Sequence, residues 1–103
     1  MEPKPITVTV KLTEKHLQEG IPRDCALCPI ALALMDTDLF AVVRVEKTFV
    51  KAFTVNDFYD YVADLPGIAT DFIASFDSRV PEIKLIEFEL TLNHTGTFAG
   101  TIF

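Results

Sequence analysis

Tryptophan is absent from this 103-residue chain, glycine occurs four times, and cysteine and histidine twice each. So few glycines leave no phosphate-cradling loop and no Walker pattern. With only one Cys-x-x-Cys, the second cysteine pair of a full structural zinc site is missing. No Ser-His-Asp arrangement can be drawn from the two histidines. No apolar run approaches the roughly 20 residues of a membrane span. The opening Met-Glu-Pro-Lys-Pro lacks the basic-then-apolar order of a signal peptide, so a cytoplasmic protein with reduced thiols is expected.

Basic residues are the most unevenly missing class. Residues 1–51 carry seven acids and seven bases, whereas residues 52–103 carry eight acids against Arg79 and Lys84 and so hold the whole formal charge of −6. No base stands between Asn56 and Ser78, where Asp57, Asp60, Asp64, Asp71 and Asp77 recur. A surface of that sign repels nucleic acid and suits a basic partner, including the nucleic-acid groove of another protein. The plainer account is a solvated face that keeps an apolar chain soluble. Half the residues are apolar and nine are Phe, which implies one well-packed core in one domain spanning 1–103, with 1–4 and 91–103 as loose or docked ends.

Taken in order, Ile6–Leu12 alternates apolar and polar residues as a half-buried strand does. Thr13 caps a short helix that stops at Gly20. Ile21-Pro22-Arg23-Asp24 is a connection, and Pro29 opens a second helix whose Ile-Ala-Leu-Ala-Leu-Met run is apolar on nearly every side, the pattern of a buried central element. Asp24 is an alternative cap for it. Leu39–Val45 and Thr48–Val55 read as strands, with Asn56-Asp57 as the hairpin turn. Phe58–Leu65 fits either a strand or a helix capped by Asn56; its aromatic residues and the preceding turn favour the strand. Ile68 to Phe76 has helical spacing, and Val80-Pro81 breaks it. Ile83 to Leu90 is the last clear strand, with a phase slip near Leu85-Ile86. Asn93-His94-Thr95-Gly96-Thr97 is turn-like, and the residues after it form an edge strand or a docked end. The order β-α-α-β-β-β-α-β describes an α+β domain, a mainly antiparallel sheet with helices packed on one face.

His16 with Cys25 and Cys28 is the sharpest chemical constellation. Zinc takes tetrahedral sulfur and imidazole ligands, and a Cys-x-x-Cys turn before a helix presents two sulfurs to one ion. His16 from the preceding helix supplies a third ligand, and His94, Asp24 or a water the fourth. The alternative is two small buried hydrophobes and a surface histidine. A thiol oxidoreductase is less well matched, because no βαβ context surrounds the pair and Pro29 follows it directly. A zinc deaminase needs Glu two residues after its His, where this chain has Gln18. Glu87 and Glu89 share a strand face whose ordinary role is solvation.

Thr9-Val10-Lys11-Leu12-Thr13-Glu14-Lys15-His16-Leu17-Gln18-Glu19-Gly20, the Cys28-Pro29-Ile30-Ala31-Leu32-Ala33-Leu34 run, Leu65-Pro66, Phe72-Ile73-Ala74-Ser75-Phe76-Asp77 and Glu87-Phe88-Glu89-Leu90 together resemble a group of small, mostly uncharacterised proteins encoded by bacteriophages, prophages and some bacteria. The likeness covers residues 5–90, and Cys28–Ala33 is its most specific part. The chain departs from the group in Lys47–Asp64 and after Leu90. The resemblance implies a mobile-element setting, where compact acidic non-enzymatic proteins inhibit host defence nucleases, CRISPR effectors among them. The expectation is therefore an acidic inhibitor without enzymatic activity that binds a basic nucleic-acid-handling host protein through Asp57, Asp60, Asp64, Asp71 and Asp77. A structural zinc at His16, Cys25 and Cys28 would close its helix–loop–helix. A zinc- or thiol-dependent small enzyme and a metal-free homodimeric accessory domain are the alternatives.

Overall fold

A computed structural model describes residues 4–55, 59–79 and 82–98. Strand β1 (Ile6–Lys11) turns Val8 and Val10 inward and leaves Thr7, Thr9 and Lys11 exposed. Helices α1 (Glu14–Glu19) and α2 (Pro29–Met35) follow. Strands β2 (Phe40–Val45), β3 (Phe49–Thr54) and β4 (Tyr59–Asp64) come next, then α3 (Gly67–Asp77) and the long β5 (Glu87–Phe98). The element order is the expected one, and Tyr59–Asp64 is a strand. The expected turn at Asn56-Asp57 and the helix break at Val80-Pro81 lie outside the described residues.

The sheet runs β1-β5-β4-β3-β2, and every pairing in it is antiparallel. β5 holds it together by changing partner along its length. Residues 87–92 pair with β1, Ile6 facing Leu92 and Lys11 facing Glu87. Asn93 and His94 pair with Val62 and Tyr61 of β4. One strand serving two neighbours in succession curls the sheet, which is why Asn93–Thr97 is strand rather than the turn its composition suggested. Thr91 and Thr95 are β-branched and suit a pleated surface, and the available edge of β4 overrides the local preference of Asn and Gly. The expected strand start at Ile83 is also moved: residues 82–86 lie outside any helix or ladder, and among the described residues their one backbone hydrogen bond is the Ile86 carbonyl accepting from Leu12 N–H at 3.0 Å.

Inside the curl lies one core. Ile30, Ala31 and Leu34 of α2 have no exposure, and they share one core with Val10, Phe40, Val50, Leu90 and Leu92 from the sheet and Ala69, Phe72 and Phe76 from α3. α2 packs against β2 and β1, the two opposite ends of the sheet, so the apolar run is the plug that closes the curl. The hydrophobicity of that run on every face follows directly from this position. Among the described residues no helix is long and apolar enough to cross a membrane.

Candidate functional site

His16 sits at the third position of α1, one turn after Thr13. Its backbone N–H donates to Thr13 Oγ1 at 3.4 Å while its Nδ1 accepts from Thr13 N–H at 3.0 Å, a capping box in which imidazole takes the place of the usual Glu or Gln. Accepting at Nδ1 leaves the ring proton on Nε2, which donates to Asp36 Oδ2 at 2.6 Å. The imidazole is buried and Asp36, at the end of α2, is largely exposed. Both ring nitrogens are thus committed, one to each helix. The structure does not bring His16 to the cysteines: it ties the end of α2 to the start of α1.

Gly20 completes that joint. Its φ of −69° is open to any residue, so conformational freedom is not the reason for a glycine. A Cβ there would lie 2.7 Å from Cγ and Cδ of Pro29 and 2.8 Å from the carbonyl of His16. The close approach of α1 to the first turn of α2 is what requires it.

Cys25 and Cys28 lie in the connection that follows. Asp24 Oδ1 accepts from Ala26 N–H at 2.9 Å and Leu27 N–H at 3.0 Å, which folds the Cys-x-x-Cys turn, and Val45 N–H on the β2 edge donates to the Cys25 carbonyl at 2.7 Å. Arg23, at a φ of 63°, donates its backbone N–H to Asp77 Oδ1 at 2.9 Å and so pins the loop to the end of α3. Both thiols are free; Cys28 is buried at the start of α2 and Cys25 half-buried. Burial pushes the Cys28 thiol above its ordinary pKa, against an opposing pull from the Ala31 and Ile30 backbone N–H groups. A cavity of about 250 Å³ opens beside the pair, lined by both cysteines, Arg23, Asp24, Glu46 and Asp77 among others. Among the described residues no three His, Cys, Asp or Glu side chains converge as a metal site would need. His94, a candidate fourth ligand, faces Tyr61 from β5, the two rings edge to face at 5.6 Å.

The aspartate series is divided rather than gathered in one row. Asp57 lies outside the described residues. Asp60 is 8% exposed, with Oδ2 accepting from Thr95 Oγ1 at 3.3 Å and Oδ1 without a partner among the described residues. Asp77 is half-buried and serves Arg23. Only Asp64 and Asp71 are freely exposed, and the outward acids Glu82, Glu87 and Glu89 extend the same negative half. Sequence reasoning missed Asp36, whose partner stands 20 residues away. It also missed Arg23 and Glu46 as cavity walls, for which no local pattern gives a signal. No protein-family model, no curated protein and no solved structure matches this chain.

Proposed function

We propose that this chain is an interaction protein without enzymatic activity, of mobile-element type, that binds a basic nucleic-acid-handling host protein and keeps nucleic acid from it. One observation carries the reading. The exposed acids Asp64, Asp71, Glu82, Glu87 and Glu89 follow one another along β4, α3, the 82–86 segment and β5, and β4 and β5 are neighbours in the sheet. Lys84, Arg79 and, opposite Glu87, Lys11 are the bases against them. Such a region attracts the positive groove in which a nuclease holds its substrate. A CRISPR effector nuclease is the concrete partner to try. The test is competition: the chain, added to a purified effector with labelled target DNA, should displace the DNA, more strongly at low than at high salt. A variant carrying Asp64→Lys, Glu87→Lys and Glu89→Lys should lose that effect while keeping its circular dichroism; equal displacement by this variant would sink the reading.

A zinc bound through Cys25 and Cys28 belongs to the proposal as a stabilising element, with its other ligands to be found outside His16. The second reading, a thiol-dependent small enzyme, is favoured by the cavity beside the half-buried Cys25. It requires turnover that Cys25→Ser abolishes.

A further inference from the structure

The sheet ends in β1 on one side and β2 on the other. The loop that carries Cys25 covers part of the β2 edge, where Val45 N–H donates to the Cys25 carbonyl at 2.7 Å. The β1 edge has no such cover among the described residues. Its phase follows from one bond just past the end of the ladder. Leu12 N–H donates to the Ile86 carbonyl at 3.0 Å, and Leu12 continues the register in which Lys11 faces Glu87, so the even-numbered residues of β1 turn their backbone groups toward β5. The odd-numbered ones, Thr7, Thr9 and Lys11, turn theirs away. The 3.0 Å approach of the Thr7 and Thr91 hydroxyls agrees, since side chains come closest at pairs that exchange no backbone bond. Among the described residues no hydrogen bond uses the backbone of Thr7, Thr9 or Lys11 on that outward side. Their N–H and C=O groups stand open in one row, and such a row is a template for another strand. The strand beneath it is regular: Val8 and Val10 are buried, Thr7, Thr9 and Lys11 exposed, and no proline or bulge interrupts it.

We propose that this edge binds the β1 edge of a second copy of the chain, antiparallel, with the two-fold axis at Thr9. A strand edge is self-complementary about such an axis. Thr9 then faces Thr9 of the second copy, Thr7 faces Lys11 at both ends, and every outward N–H meets an outward carbonyl. Neighbouring registers do worse. An axis at Val8 sets Lys11 against Pro5, which has no N–H to give, and an axis at Val10 sets Thr7 against Thr13, whose N–H already goes to His16 Nδ1 at 3.0 Å. This match of the strand to itself is what favours a second copy over a strand of another protein. Charge permits it, because Lys11 is the one charged residue of β1 and meets a threonine. Glu87 and Glu89 on β5 lie three strand spacings, about 14 Å, from their counterparts, beyond the screening length of about 8 Å at physiological salt. The inference uses none of the acids on which the proposed function rests.

An interface of one strand pair is small and therefore weak, so sedimentation equilibrium of the full chain is run from about 10 μM to about 1 mM, and amide hydrogen exchange by NMR locates the contact. A monomer–dimer equilibrium is expected in that range. As concentration rises, exchange should slow at Thr7, Thr9 and Lys11, while Val8 and Val10, which already donate to β5, are slow throughout. Thr9→Pro removes the central donor and leaves the β1–β5 ladder whole, because an edge position whose N–H faces outward accepts proline; it should weaken the dimer at least roughly tenfold at unchanged circular dichroism. Thr7 is exposed, so its variants keep the fold whatever proline does. Thr7→Glu, facing Lys11 of the second copy, should tighten the dimer roughly threefold, and Thr7→Lys should loosen it by about as much. A chain still monomeric at about 1 mM would overturn the proposal. So would Thr7, Thr9 and Lys11 amides as slow as those of Val8 and Val10 in dilute solution, a folded Thr9→Pro variant that dimerises like the wild type, or two Thr7 variants that shift the dimer in the same direction.

Discussion

Replacing His16 by Ala tests the joint between the two short helices. The substitution removes half of the capping box, worth about 1 kcal/mol. It also removes the Nε2–H bond to Asp36, which its exposed carboxylate partner limits to roughly 0.5–1 kcal/mol. Loss of a buried ring that α1 packs around adds about 1 kcal/mol. The expected total is roughly 2–3 kcal/mol, or a fall in Tm of about 10–20 °C for a domain of this size. His16→Gln is the informative companion, since glutamine at this position can still accept from Thr13 N–H and should recover about 1 kcal/mol of the loss. A double-mutant cycle with Asp36→Ala should give a coupling of roughly 0.5–1 kcal/mol. Thermal melts by circular dichroism read all five proteins. A His16→Ala variant within about 3 °C of the wild type, or a Gln variant as unstable as the Ala one, would refute the assignment of His16 as a cap and tether. So would a chelator that lowers the wild-type melt and leaves His16→Ala unchanged, because that is how a metal ligand behaves.

Gly20→Ala should cost about 1–3 kcal/mol in a urea melt although its backbone angles suit alanine, since the new methyl meets the Pro29 ring. In the metal-free chain the buried Cys28 thiol keeps its proton above pH values where the unfolded chain loses it. Stability is therefore complete below about pH 9 and declines as pH rises toward the raised native value, a slope that Cys28→Ala should lack in melts across that range. Ile30→Ala, at a site with no exposure, should cost about 2–5 kcal/mol, against under about 1 kcal/mol for Ile68→Ala on the exposed side of α3. Zinc content measured by elemental mass spectrometry on untagged protein should be the same in His16→Ala as in the wild type. Any zinc the wild type carries should be lost in Cys25→Ser/Cys28→Ser; a loss in His16→Ala instead would return the imidazole to the metal.

Period and punctuation made the fold legible where local pattern and tertiary demand agree. The alternation of Ile6–Lys11, the uniform apolarity of Ile30–Leu34 and the Ile68–Phe76 spacing each name their element because burial imposes the same pattern on the structure. The reading faltered at β5, where Asn93 to Thr97 has turn residues but lies beside β4, and a pairing partner distant in sequence leaves no local trace. The same limit explains the site. His16 to Asp36, Arg23 to Asp77 and Cys25 to Val45 are contacts between residues 20 or more apart, and residue type alone cannot choose between imidazole as ligand and imidazole as cap. Aspartates equivalent in a charge count divide by environment into a buried one, a structural one and two exposed ones.

That division relocates the chemistry of the chain. The residues most suggestive by type, His16, Cys25 and Cys28, stand where α1, α2 and the β2 edge are fastened together, and changes there act first on stability. The acids that remain free stand on β4, α3, the 82–86 segment and β5, beyond the joint. An interface built on this second half can vary its charge without disturbing the α2 plug, because no buried residue of the core depends on Asp64, Asp71, Glu82, Glu87 or Glu89 for a hydrogen bond among the described residues. Stability and binding should therefore separate by mutation: Asp71→Lys/Glu82→Lys should change partner affinity at nearly constant Tm, and His16→Ala should lower Tm at nearly constant affinity when measured well below its melt. Loss of both properties in every variant would mean that the two halves do not act independently.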